Sequence, residues 1–109
     1  MKTIKEIYAG DYHIPMQGVP GTHRNLQWYA TDDNRVLGVV ILDLVDSDYS
    51  WVVLSEEPQN DEFDGTGYRA INLGHSLPDR ETAARQLCKT MLEERERILC
   101  EFPLGYPEA

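Results

Sequence analysis

The sequence predicts an α+β fold, a four-stranded antiparallel β-meander with a C-terminal amphipathic helix packed on one face, in the order ββββα. Four β-rich runs follow one another with turn residues between them, and a single long stretch then carries apolar residues at helical spacing. The chain has 109 residues, of which 41% are hydrophobic and 27% charged, enough for one hydrophobic core and too few for two. Residues 1–109 are therefore read as a single domain.

Residues 1–25 are a short N-terminal element and a loop. Ile4, Ile7 and Tyr8 have helical spacing over too short a span to decide between helix and strand, and Ile14–Gly21 is punctuated by Pro and Gly. The sheet is expected over 26–73, in runs at Leu26–Thr31, Val36–Asp43, Tyr49–Ser55 and Tyr68–Leu73. Asp32–Arg35 is a compact hairpin loop, Leu44–Asp48 a second short connection, and Glu56–Gly67 a longer, polar one. Short links in series favour pairing between sequence neighbours, hence a meander.

The helix is expected over 77–102. Ala83, Ala84, Leu87, Cys88, Met91, Leu92, Ile98, Leu99 and Phe102 form its stripe, interrupted only by Arg95. Ser76 can accept from the first turn, Pro78 needs no partner there, Asp79 suits the positive end of the helix dipole, and Pro103 stops the helix before a tail at 103–109.

Val36–Leu42 is apolar at both alternating sets of positions, and Trp51–Leu54 repeats this. A sheet covered by one helix needs only one apolar face. The second requires cover from the N-terminal segment, a second copy of the chain (a homodimer) or a partner.

Cys88 and Cys100 lie 12 residues apart on one helix, about 18 Å at about 1.5 Å per residue. A disulfide needs Cα atoms within about 7 Å, so these two are reduced thiols, as in a cytoplasmic protein. No apolar h-region follows Met1–Tyr8 and no run approaches the roughly 20 residues of a membrane span, so neither a secretory signal nor a membrane partner is expected.

Charge is the most uneven property. The net charge is -9, and between Arg35 and Arg69 there is no Lys or Arg, while Asp43, Asp46, Asp48, Glu56, Glu57, Asp61, Glu62 and Asp64 supply eight carboxylates. In a meander the two connections that hold most of them lie at opposite ends of the sheet. Such a surface repels nucleic acid directly and attracts proteins with basic surfaces, and these eight residues are the candidate partner-binding positions.

No other chemistry is indicated. Asn60–Gly65 has the oxygen ligands that open a calcium loop, but the position of its closing Glu is Ile71. Asp43, Asp46 and Asp48 are read as solvated turn carboxylates, so no metal and no cofactor is assigned. Gly65-Thr-Gly-Tyr-Arg-Ala70 matches a dinucleotide string without the strand and helix that give it meaning. His13, His23 and His75 are scattered, there is no Gly-x-Ser-x-Gly elbow, and no catalytic residue is assigned.

Trp28-Tyr-Ala-Thr31, Leu37-Gly-Val-Val-Ile-Leu-Asp43, Trp51-Val-Val-Leu54 and Tyr68-Arg-Ala-Ile-Asn-Leu73, followed by the helix, resemble small acidic proteins encoded on bacterial phages, plasmids and integrated elements, over about residues 26–92. The resemblance carries no assigned activity and no catalytic residues. It implies a non-enzymatic acidic binding protein, an inhibitor of the anti-CRISPR or anti-restriction kind, that docks on a basic site of a nucleic-acid-handling protein. A toxin-immunity protein or secretion chaperone is the alternative, and a small ligand-binding domain or enzyme using His75 the second.

Overall fold

Val36–Asp43 alternates large β-branched and aliphatic side chains on both of its faces, and it forms the central strand of a five-stranded sheet. The computed structural model describes residues 3–8, 17, 19, 21–55 and 68–101. Its elements are β1 (Ile4–Ile7), β2 (His23–Thr31), β3 (Val36–Asp43), β4 (Asp48–Ser55), β5 (Arg69–Leu77) and α1 (Arg80–Glu101). Each strand pairs antiparallel with its sequence neighbours in the order β1-β2-β3-β4-β5, and α1 lies across one face, chiefly over β3 and β4.

The expected meander and helix are thus present, with a fifth strand. β1 follows from the two-sided core. Ile4 pairs with Thr31 and joins the helix-side cluster, while Ile7 pairs with Trp28 and joins the cluster on the opposite face. A spacing of three residues in a strand sends two side chains to opposite faces, so a pattern that resembles helical spacing serves a sheet that is apolar on both sides.

On the α1 face, Val36, Val40, Trp51 and Val53 pack against Ala83, Leu87, Met91 and Ile98. Gly38 lets the helix approach: a Cβ there would lie 2.7 Å from both Leu87 Cδ1 and Met91 Sδ. Trp51 lies flat on Gly74, where a Cβ would come within 2.5 Å of its Cε2 and Nε1, and its Nε1 donates to Gln86 Oε1 at 3.2 Å. The opposite face is buried as well. Leu37, Val39 and Leu54 are fully buried and Ile41 is 2% exposed, all within the single chain. No second copy is needed to bury them. That burial ends at β5, where Leu73 is 60% exposed.

Arg95, which breaks the apolar stripe four residues after Met91, fastens the C-terminal half of α1 to the β2–β3 turn. Its Nε donates to Asp33 Oδ2 at 3.0 Å, and Asp33 Oδ1 accepts from the Thr31 hydroxyl at 2.8 Å and from Arg35 N at 3.2 Å. Partial burial works against ionisation of Asp33, but the Thr31 and Arg35 hydrogen bonds and the Arg95 charge outweigh it and hold the carboxyl below the usual range. Asn34 closes this turn at φ 60°, a left-handed conformation that Asn tolerates better than most residues, with its N–H donated to Thr31 O.

The helix start differs from expectation. Asp79 is the cap, its Oδ1 accepting from Thr82 N at 2.7 Å and its main-chain carbonyl from Ala83 N at 3.2 Å. Ser76 instead belongs to β5, with φ 61° at a bulge. The sheet runs on to Leu77, so the helix begins at Arg80 rather than at 77. Phe102, Pro103 and the tail lie outside the described residues.

Gly74→Ala should cost about 1–3 kcal/mol, because the rigid indole of Trp51 has to move and its bond to Gln86 breaks. Gly38→Ala should cost less, since only the flexible ends of Leu87 and Met91 must shift. Urea denaturation followed by tryptophan fluorescence measures both, and the expected order is Gly74→Ala the less stable.

Candidate functional site

Three of the eight candidate acids converge. Asp43 ends β3, Asp48 begins β4, the two face each other across the ladder, and Asp46 lies in the turn between them. One carboxylate oxygen from each comes within 4.8 Å of the others. Glu56, Glu57, Asp61, Glu62 and Asp64 lie outside the described residues. Ser55 pairs with Val36 and Arg69 at the end of the sheet opposite Asp43 and Asp48, so β4 enters and leaves at opposite ends, as a meander requires.

The turn chemistry explains the cluster. Asp43 Oδ1 accepts from Val45 N at 2.9 Å and from Asp46 N at 3.1 Å, folding the chain back over its own side chain. Ser47 completes the reversal at φ 57°, donating its N–H to Asp43 O at 2.9 Å. Of the three carboxylates, Asp43 holds the turn together and Asp46 and Asp48 are carried by it. The Asp46 N–H is the main influence holding the Asp43 carboxyl below its usual range; desolvation opposes it, and the Val45 N–H and the nearby His23 add to it.

The same turn exposes apolar surface. Leu44 is 50% and Val45 72% exposed. Leu44 N donates to Thr22 O at 2.9 Å, which ties the tip of the β3–β4 hairpin to the start of β2. His23 then sets Nε2 3.7 Å from Asp43 Oδ2. The result is a projecting tip with an aliphatic centre and an acidic rim. The charge of this tip was legible in the sequence. Its apolar part carries a weaker signal in the sequence, that Leu44 and Val45 at the centre of a short hairpin connection cannot be buried by their own strands.

The remaining surfaces are built differently. β1 is an edge strand of four residues. On β5, three steps oppose two of β4 between Leu77 and Gly74, and two oppose one between Asn72 and Ala70, giving two bulges along one edge. Asn72 Oδ1 also takes the Leu73 N–H at 2.9 Å. Short, bulged and side-chain-capped edges are poor templates for adding a further strand.

His75 is exposed on β5, with Nδ1 3.1 Å from Ser76 Oγ. Cys88 is half-buried, which raises its thiol pKa, and Cys100 is exposed; both are free. Among the described residues there is no enclosed pocket, and no helix is long and apolar enough to cross a membrane. Comparison of the chain with protein-family models, with curated proteins and with solved structures gives no match.

The acids of the tip should separate in a pH series. Because its pKa is lowered by folding, Asp43 contributes stability above the unfolded-state value, and that contribution is lost as pH falls through the lower folded value. Asp43→Ala should destabilise at neutral pH. Asp43→Asn should keep the turn, since its side-chain oxygen still accepts, but flatten the acid limb. Asp46→Asn should leave stability unchanged or raise it by relieving like-charge repulsion. Urea midpoints between about pH 2 and pH 7 report all three.

Proposed function

We propose that the protein is a non-enzymatic binding module whose β3–β4 tip docks on a basic, partly apolar site of another protein. The observation that carries this reading is the combination at one turn of Asp43, Asp46 and Asp48 with exposed Leu44 and Val45. Carboxylates alone are consistent with solubility. An aliphatic pair at the tip of a hydrogen-bonded hairpin adds no solubility, and it matches the arrangement of interfaces, in which an apolar centre is ringed by polar groups. The net charge of -9 and the basic-free stretch from Val36 to Tyr68 select a cationic partner and steer its approach.

Lysine- and arginine-rich sites with apolar floors are typical of proteins that hold nucleic acid. An acidic protein that occupies such a site competes with the nucleic acid for it. This is the chemistry of an anti-restriction-like inhibitor working in the cytoplasm, and the resemblance to mobile-element proteins is consistent with it. Glu56, Glu57, Asp61, Glu62 and Asp64 extend the same charge and form a second set of contacts in this proposal.

The test is a pull-down from the host followed by titration of the purified partner against wild type, Val45→Asp, Asp46→Lys/Asp48→Lys, and a chain with lysine at 56, 57, 61, 62 and 64. The expected result is a partner with a basic surface, affinity that falls as salt rises, and loss of binding in the Val45 and Asp46/Asp48 variants. Binding that is indifferent to salt and to every variant would overturn the proposal. A partner that is itself nucleic acid would do so too.

A further inference from the structure

His23 opens β2 beside the tip, and each of its ring nitrogens has a neighbour. Val19 N donates to Nδ1 at 3.1 Å. A main-chain N–H can only donate, so this bond requires a bare Nδ1 and places the single proton of the neutral ring on Nε2, which lies 3.7 Å from Asp43 Oδ2. Thr22 Oγ1 stands 2.9 Å from the same Nδ1 and 3.1 Å from Val19 O. With Nδ1 occupied by Val19, the hydroxyl proton of Thr22 goes to the Val19 carbonyl.

We propose that His23 is a proton-operated catch on the Val19 N–H, holding it when neutral and releasing it when charged. Uptake of a proton at Nδ1 turns that atom from acceptor to donor. A new acceptor is already in place, because Thr22 Oγ1 has a lone pair facing Nδ1 while its own proton stays on Val19 O. The positive ring then faces Asp43 on β3, with the carboxylates of Asp46 and Asp48 behind it. Arg24, the next residue of β2, belongs to the other face of the strand by alternation. Among the described residues, the only group that loses its partner is the Val19 N–H.

The cost of protonation is therefore confined to one hydrogen bond at the edge of the docking tip, and the charge itself is accommodated. Val19 is joined to Leu44 through Thr22, whose N–H donates to Val19 O and whose carbonyl accepts from Leu44 N. Val19 O keeps its bonds from Thr22 N and His23 N, so the change is confined to the Val19 N–H and leaves the sheet undisturbed. The catch adds a means of regulation to the docking reading, but it is a property of the free protein and stands or fails independently of any partner.

NMR of the free, full-length chain tests it. Ring nitrogen–proton correlations of His23 should show the Nε2–H form at high pH. As the ring titrates, the Val19 amide should shift with the same midpoint, and its protection from hydrogen exchange, corrected for the intrinsic pH dependence, should fall about tenfold, the weight of one ordinary hydrogen bond. Val40, at the centre of β3, should keep its protection. In His23→Gln, whose side-chain oxygen accepts at every pH, the Val19 step should vanish. In Thr22→Val, which removes the second acceptor, the midpoint should move to lower pH. Unchanged Val19 protection across the His23 titration, or a step that persists in His23→Gln, would overturn the proposal.

Discussion

The fold rests on the burial of β3 and β4 on both faces. One face carries Val36, Val40, Trp51 and Val53 beneath α1, and the other carries Leu37, Val39, Ile41 and Leu54. Removing a set of large apolar side chains from water on each side of the same two strands is the largest favourable contribution available to a chain of this size. Everything peripheral is arranged around that pair. Gly38 and Gly74 give up their side chains so that Leu87, Met91 and Trp51 can come close, and Arg95 spans from the helix to Asp33 where the apolar stripe is broken.

Two-sided burial also decides where function can be carried. With the sheet faces used for folding, and with one edge short and the other bulged, the projecting hairpin tip is the most distinctive surface among the described residues. Its backbone is held by Asp43 and Ser47, and its link to Thr22 keeps it from swinging away from the sheet. A rigid turn displays its side chains at little entropic cost on binding, which is how a small module with few contacts gains affinity. Asp43 is spent on the turn, and in the proposed docking Asp46 and Asp48 are the acids that remain available.

Most of the architecture was readable because its signals are local. The runs at Val36–Asp43 and Tyr49–Ser55, the hairpin chemistry between them and the stripe Ala83, Leu87, Met91, Ile98 each determine an element without reference to the rest of the chain. What was not readable depends on partners distant in sequence. β1 is a strand because Thr31 and Trp28 lie beside it, and four residues cannot announce that alone. Ser76 appeared the better helix cap until the pairing of β5 with β4 extended the sheet past it and left the role to Asp79. Arg95 read as an interruption because its partner, Asp33, is 62 residues away. At the tip, the charge was visible as composition. The convergence of Asp43, Asp46 and Asp48 and the bonds of His23 to Val19 and Thr22 are local but depend on the backbone conformation of each turn, and only the approach of His23 to Asp43 follows from the folded register.

The measurement that bears most directly on this account is the stability of Leu37→Ala and Leu54→Ala, set beside wild type, at two protein concentrations differing by about a hundredfold. Both side chains lie on the face away from α1. If that face is buried within the chain, each variant should lose about 2–5 kcal/mol and no unfolding midpoint should depend on concentration. Losses below about 1 kcal/mol would show that the second face is not buried, a wild-type midpoint that rises with concentration would show that another molecule covers it, and either would contradict the account.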